Sequence, residues 1–428
     1  MKISIIGAGY VGIPTAIAFK HWGHEVVVVD NDFSKIDQLS KGEMPIYEKG
    51  FDCYKSDIEA IEFTTDWTKI ANSNVVVLCV GTPMGKNGEA DTGFIKLAAM
   101  DVDKYTQGAV VVVKSTVPVG TCKSLYNYIK KNEIASMPEF LREGYALDDV
   151  FNPDRVIIGT PNDENFELLK HIYPEFMWEK IHHIKTLESS ELIKYASNAF
   201  LAVKLHYINE MADLCEQVGA DVKDVALGMG LDSRIGSKFL NAGCGYGGSC
   251  FPKDTNAIYS LAENKGIDLS LVGATIAGNR KRQKNIANKL NFCINTFNIK
   301  KVAYLGLAFK NGTDDVRESP AINILEGITA KTDIYAYDPK AMDNAQRVVF
   351  NPNVKYANSI EDCLKDAEVL VIATEWKQFA NIYDKLPLMA KSDIVNKPII
   401  YDLKNMLDED KITQDYAYIP TGKVIKND

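Results

Sequence analysis

One thiol in this chain sits where covalent chemistry is physically favoured. The stretch Gly243-Cys244-Gly245-Tyr246-Gly247-Gly248-Ser249-Cys250-Phe251-Pro252-Lys253-Asp254 places four glycines within six residues, then a cysteine. Glycine tolerates dihedrals barred to residues with a Cβ, so such a backbone can approach a ligand closely. Pro252 suits the first turn of a helix, and the spacing predicts a helix that starts near Phe251 with Cys250 just ahead of it. There the helix dipole and its free N–H groups favour a thiolate. Asp254 follows one turn later, so both side chains can face one reacting carbon. Taken alone, the stretch also reads as a glycine-rich turn before an inert cysteine. Cys244 and Cys250 raise a metal or a disulfide, but no His cluster accompanies them and no metal is expected.

A second pair capable of chemistry is Lys194 and Asn198. From Glu188 to Val218 apolar residues recur at helical spacing without Pro or Gly, which predicts one long helix and makes these two neighbours on one face. A lysine cation and an asparagine amide are suitable donors to a developing alkoxide. Surface solvation is the plain alternative for such a pair.

The element that must bring a redox partner lies at the N-terminus. The strand pattern Ile3–Ile6 runs into Gly7-Ala8-Gly9-Tyr10-Val11-Gly12, a helical pattern follows through Phe19, and a second strand, Glu25–Val29, ends in Asp30. Strand, G-x-G-x-x-G, helix, strand and acid form a dinucleotide fingerprint. An acid at Asp30 hydrogen-bonds a ribose hydroxyl and repels a 2′-phosphate, which selects NAD over NADP. Further apolar runs at Val75–Val80, Ala109–Val113 and Arg155–Ile158 mark strands buried on both faces of a parallel sheet. Ligands bind beyond the carboxyl ends of such strands, where Thr82, Thr116 and the loop Pro138–Gly144 cluster.

After the long helix, residues 221–295 read as helical apart from the glycine loop and the turn Leu231–Gly236. At Lys301 the strand pattern returns, with runs at Val302–Leu305, Asp333–Tyr337, Ala367–Ala373 and Pro398–Tyr401. Their ends echo the N-terminal set in order, as a degenerate repeat does. The opening turn Gly306-Leu307-Ala308-Phe309-Lys310 lacks the further glycines of a full dinucleotide site. The fold class is therefore α/β: two doubly wound, Rossmann-like domains joined by a helical central domain with one long helix. The expected boundaries are 1–187, 188–296 and 297–428.

With 428 residues, 46% hydrophobic and 25% charged, the composition is that of an ordinary soluble chain, long enough for two or three cores. A net charge of −9 without a Lys/Arg block leaves no footprint for a nucleic acid or an anionic membrane. No secretory leader and no apolar run near 18 residues is visible, and eight scattered cysteines fit reduced thiols, so a cytoplasmic protein is expected. An alcohol dehydrogenase needs a base and an oxyanion stabiliser, whereas a thiol becomes useful when an aldehyde must be oxidised further. Thiohemiacetal formation makes the carbonyl carbon a hydride donor and leaves a thioester for water, so the set predicts a four-electron oxidation.

These motifs, in this order, resemble the UDP-glucose/GDP-mannose dehydrogenase family over nearly the whole chain. The matching pieces are Gly7–Gly12, Gly81–Pro83, Lys114–Pro118, Pro138–Gly144, Asn152–Arg155, Asn198–Ala202, Arg234–Gly236, Gly245–Asp254 and Phe309-Lys310 through Arg317-Glu318-Ser319. The resemblance implies NAD-dependent oxidation of UDP-glucose to UDP-glucuronate for polysaccharide synthesis, with other sugars of GDP-mannose or UDP-N-acetylmannosamine type as alternatives. It implies that Cys250 is the nucleophile, that Lys194 and Asn198 hold the substrate oxygen, that Asp254 and Thr116 position water, and that Glu139 assists thioester hydrolysis. Cofactor contacts implied are Gly9, Tyr10, Val11, Asp30, Lys35, Thr82, Thr116, Glu143 and Arg317. For the UDP-sugar they are Phe140, Leu141, Arg142, Glu143, Lys194, Asn198, Tyr246, Gly247, Lys310, Lys404 and Arg234, the last looking like a contribution from the partner in a homodimer. Met137, Cys244 and Lys404 depart from the family pattern, and Lys404 lacks the bidentate fork of the Arg often found there. A two-electron hydroxyacid dehydrogenase needs no thiol and no second Rossmann-like domain, and a non-catalytic nucleotide-binding module needs no intact catalytic set.

Overall fold

The structure is a computed structural model and describes residues 1–85, 88–392 and 394–424. The chain forms two compact units, Met1–Ser197 with Asn256–Ile267, and Asn198–Thr255 with Asp268–Asp428.

The first unit is built on β1 (Lys2–Ile6), β2 (Glu25–Val29), β3 (Glu62–Thr64), β4 (Val75–Leu78), β5 (Val110–Val113), β6 (Glu133–Ser136), β7 (Val156–Gly159) and β8 (Ile181–Ile184). Their order in the sheet is β3-β2-β1-β4-β5-β6-β7-β8. All pairings are parallel except β6–β7, which meet antiparallel at Ser136 and Gly159. Each valine run alternates between two cores: Val75 and Val77 pack on one face with Ile3, Ile5, Val26 and Val28, while Val76 and Leu78 pack on the other with Ile6, Val27 and Val29. Burial on both faces is what makes a continuous apolar run the cheapest strand here.

The second unit holds β9 (Lys301–Leu305), β10 (Asp333–Tyr337), β11 (Val354–Tyr356), β12 (Val369–Ile372), β13 (Ile399–Asp402) and β14 (Ala417–Pro420), in the order β11-β10-β9-β12-β13-β14, all parallel. Renumbered from its own first strand, this is the 3-2-1-4-5-6 order with which the first sheet also begins, so the repeat expected from the strand ends is a repeat of topology. The long helix runs Leu187–Val218, and further helices span Val222–Gly230, Phe251–Asn264 and Ser270–Thr296, as the periodicity predicts. The helix Phe251–Asn264 begins at the residue after Cys250.

Candidate active site

The turn after β1 is tight because a Cβ on Gly12 would stand 1.8 Å from the Gly7 carbonyl oxygen. Above Gly9 the reverse holds, since a Cβ there would meet nothing within 4 Å. The helix Gly12–His21 starts at once, with the Ile13 N–H bonded to the Gly9 carbonyl at 3.0 Å. Asp30 accepts from the Ala8 N–H at 2.8 Å, the Asp32 N–H at 3.0 Å and Lys35 Nζ at 3.2 Å. Burial pushes this carboxyl up, but those N–H donors and the Lys35 cation outweigh it and hold it below the usual range. An open glycine, a helix start and an ionised acid fit a dinucleotide pyrophosphate and ribose. Thr82 and Thr116 come together, as the Thr82 hydroxyl donates to the Thr116 carbonyl at 2.7 Å. Tyr10, Val11 and Glu143 are half-buried in the same unit, whereas Arg317 lies exposed in the other, where it is paired with Asp315 at 2.6 Å.

The loop after β6 carries Glu139, 6% exposed, whose Oε1 accepts from Lys194 Nζ at 2.9 Å. Its other oxygen accepts from the Leu141 N–H at 2.5 Å. Burial raises this carboxyl, and the Lys194 cation, the Leu141 N–H and Lys114 overcome that, so its pKa falls below the usual range. Glu139 and Lys194 thus form a buried ion pair inside the first unit, in the loop and on the long helix respectively. The following residues are held from elsewhere: the Gly144 and Ala146 N–H groups donate to Glu48 at 2.9 and 2.8 Å, and Arg142 pairs with Asp149 at 2.6 Å. Met137 lies in the core beneath, where the Tyr173 hydroxyl donates to its sulfur at 3.4 Å.

In the second unit Cys250 is half-buried, with its Sγ 3.5 Å from Ser249 Oγ. The Asp254 N–H donates to the Cys250 carbonyl at 2.8 Å, which sets the two residues one helical turn apart. Asp254 is 1% exposed and accepts from Asn198 Nδ2 at 2.6 Å and from Lys253 Nζ at 2.7 Å. Lys253 is a partner that no spacing argument singles out, although it stands next to Asp254. The six expected catalytic residues therefore form two groups, Thr116, Glu139 and Lys194 in the first unit and Asn198, Cys250 and Asp254 in the second.

The glycines of the loop meet protein rather than open space. A Cβ on Gly247 would stand 2.1 Å from the Glu318 carbonyl oxygen, and one on Gly248 would stand 2.6 Å from the Phe309 ring. Asn279 brackets buried Tyr246, donating to its carbonyl and accepting from its N–H at 2.9 Å each. Arg282 Nε donates to the Gly243 carbonyl at 2.6 Å. Lys404 is paired with Glu375 at 2.8 Å, and Lys310 lies against the Phe309 ring with its Nζ 5.4 Å from the centroid. Cys244 is buried, its thiol directed at the Ala373 carbonyl at 3.6 Å. Arg234 is not drawn in with these: its side chain is 87% exposed and paired with Asp232 at 2.6 Å. All eight cysteines lie among the described residues, none of them in a disulfide, and six are buried.

Comparison with known proteins gives the family along nearly the whole chain. The description "UDP-glucose/GDP-mannose dehydrogenase family, NAD binding domain" matches residues 1–177, the central domain of the same family matches 188–281, and its UDP binding domain matches 303–409. The chain belongs to the UDP-glucose/GDP-mannose dehydrogenase family. It is 41% identical to the UDP-glucose 6-dehydrogenase of Rickettsia felis, over 99% of this chain and 96% of that protein. It is also 41% identical to that of Rhizobium meliloti, over 99% and 100%. Among solved structures, a UDP-glucose dehydrogenase from the archaeon Pyrobaculum islandicum superposes with a TM-score of 0.88 at 31% identity, covering 99% of this chain and 98% of that one. The UDP-D-ManNAc dehydrogenase from Pyrococcus horikoshii gives 0.85 at 26% identity, with 99% of each chain covered. As a member of this family the chain is a dehydrogenase with an NAD-binding domain and a UDP-binding domain. Among the described residues no helix is long and apolar enough to cross a membrane.

Proposed function

We propose that this protein oxidises UDP-glucose to UDP-glucuronate, in the cytoplasm, as a precursor for polysaccharide synthesis. The observation that carries the reading is a half-buried thiol one residue before a helix, one turn from a buried carboxylate held by Asn198 and Lys253. Bound NAD supplies the hydride acceptor for each of two oxidations, cradled by Gly9, Tyr10, Val11, Asp30, Lys35, Thr82, Thr116 and Glu143, with Arg317 as a further contact. Lys194 and Asn198 donate to the C6 oxygen as it gains negative charge. Cys250 as thiolate adds to the C6 aldehyde and forms a thiohemiacetal, whose carbon can lose a second hydride to leave a thioester. Water held by Asp254 and Thr116, with Glu139 as base, cleaves that thioester and returns the thiol. The overall balance is one sugar nucleotide, two NAD and one water giving the uronate, two NADH and protons.

Phe140, Leu141, Arg142, Glu143, Tyr246, Gly247, Lys310 and Lys404 hold the UDP-sugar in this reading. The three family matches support segments 1–187, 188–296 and 297–428 as cofactor, central and UDP-sugar parts. A homodimer is supported by Phe200, Tyr207 and Leu214, exposed apolar residues that recur every seven positions on the long helix, with exposed Val218 four residues beyond. The exposure of Arg234, outside the contacts of the glycine loop, supports its serving the partner's substrate. The test is stoichiometric: purified protein with NAD and UDP-glucose yields two NADH per sugar consumed, and a ratio of one sinks the thioester route. Comparing kcat/KM for UDP-glucose, GDP-mannose and UDP-N-acetylmannosamine fixes the sugar.

A further inference from the structure

The motif Asn152-Pro153-Asp154-Arg155 has no part in the proposed reaction, yet its arginine touches both segments that supply the Glu139–Lys194 pair. The Arg155 guanidinium carbon lies 4.0 Å from the centroid of the Phe140 ring, inside the cation–π range. Its Nη2 donates to Ser197 Oγ at 3.4 Å. Phe140 directly follows Glu139, and Ser197 lies three residues beyond Lys194 on the long helix. Lys194 Nζ is itself 5.4 Å from the same ring centroid, so one ring is bordered by both cations.

A buried ion pair is favourable only when its geometry is well held, since both charges have given up water. Here the two partners are 55 residues apart in sequence and come from a loop and a helix. A loop that drifts would leave a buried carboxylate against a buried ammonium at poor distance, and small displacements at a reacting centre are expensive. We propose that Arg155 is a positioning residue for the Glu139–Lys194 pair, clamping the Phe140 loop to the long helix through the ring face and Ser197. The proposal rests on the assignment of Glu139 and Lys194 to the reaction.

The groups around Glu139 make the effect readable by pH. Facing it are Lys194 on the long helix, Lys114 at the end of β5 and the Cys79 thiol after β4. Lys194 is the largest influence holding the carboxyl low, so a loosened pair lets burial push it up, and the acid limb of kcat moves to higher pH. The Cys79 thiol, pushed up to about 12 by burial, stays neutral throughout.

The experiment compares Arg155→Met, Arg155→Lys, Phe140→Leu and the Met/Leu double variant in kcat, KM for each substrate, the pH profile of kcat, and Tm. Arg155→Met is expected to lower kcat roughly 10- to 50-fold with the acid limb raised and KM for NAD within about two-fold. Phe140→Leu should do the same, and the double variant should be no worse than the poorer single within about three-fold, because one clamp is broken once. Arg155→Lys keeps a cation over the ring without the planar fork, and should recover part of the loss. Independent, multiplying losses or an unmoved acid limb would overturn the proposal, as would parental kcat in Arg155→Met. Should Arg155→Met fail to fold, the acid limb of Phe140→Leu decides alone. Glu139→Gln and Lys194→Met test the underlying assignment: full activity in those removes the pair from the reaction, whereas their inactivity beside a parental Arg155→Met sinks the clamp alone.

Discussion

After β1 the chain turns at Gly7, and after β9 it turns at Gly306, and the two turns start alike. The Gly7 N–H donates to the Val29 carbonyl at the end of β2, the Gly306 N–H to the Tyr337 carbonyl at the end of β10, both at 2.8 Å. Both glycines have positive φ, 105° and 101°. In each case an aspartate follows the second strand and accepts from the turn, Asp30 from Ala8 and Asp338 from Leu307 and Ala308. From there they diverge. The first turn leads at once into the helix Gly12–His21, with open space above Gly9. The second has Ala308 in the Gly9 position, fully buried, and its first helix waits until Pro320. Asp338 is 1% exposed and also accepts from Lys340 N–H, Ala341 N–H and Trp376 Nε1. The same topology leaves one acid beside an open glycine and a helix start, the features that suit a dinucleotide, and turns the other into an internal brace, so strand order alone does not make the two turns equivalent.

The two turns differ most at their acids. Asp338→Ala strands five donors, most of them in the core of the second sheet, and should destabilise that unit by about 4 kcal/mol, seen as a lower urea midpoint. Asp30→Ala should act on the cofactor instead, raising Kd for NAD about 30-fold, or about 2 kcal/mol, and narrowing the preference for NAD over NADP. Its carboxyl is held below the usual range, so the effect should be complete at neutral pH. The structural loss from Asp30→Ala should be less than half of that from Asp338→Ala. Equal losses in stability, with NAD affinity unmoved, would show that Asp30 is a brace too.

The parts of this fold legible in sequence were those whose cause is local. Runs such as Val75–Leu78 and Val110–Val113 announce strands buried on both faces, and Pro252 announces the helix behind Cys250. The strands β3, β6, β8, β11 and β14 carry no such mark: Glu-Phe-Thr, Glu-Ile-Ala-Ser and Ile-His-His-Ile are short and mixed. They are strands because a neighbour's free edge pairs them, as Val27 does Glu62 and Val110 does Glu133. The site divides the same way. Cys250, Asp254, Lys194 and Asn198 are named by residue type and spacing, but their partners are set by tertiary contact across 55 and 56 residues, Glu139 with Lys194 and Asp254 with Asn198. The glycine loop is the instructive case, since a run that reads as ligand approach is also required by the loop's own packing on Glu318 and Phe309.

The smallest difference between the two turns is a single methyl group. Gly9→Ala gives the first turn what the second already has at Ala308. Nothing in the protein lies within 4 Å of the added Cβ, and Gly9 does not have positive φ, so the fold should keep its Tm or gain slightly from a less flexible unfolded chain. The space the methyl enters is where the pyrophosphate must lie if the backbone and helix start hold it. NAD binding by calorimetry should therefore weaken about 5- to 10-fold, roughly 1 kcal/mol, while the affinity for UDP alone stays unchanged. Unaltered NAD affinity would mean that the open face above Gly9 is not where the cofactor approaches, and the contrast between the two turns would then rest on the helix start alone.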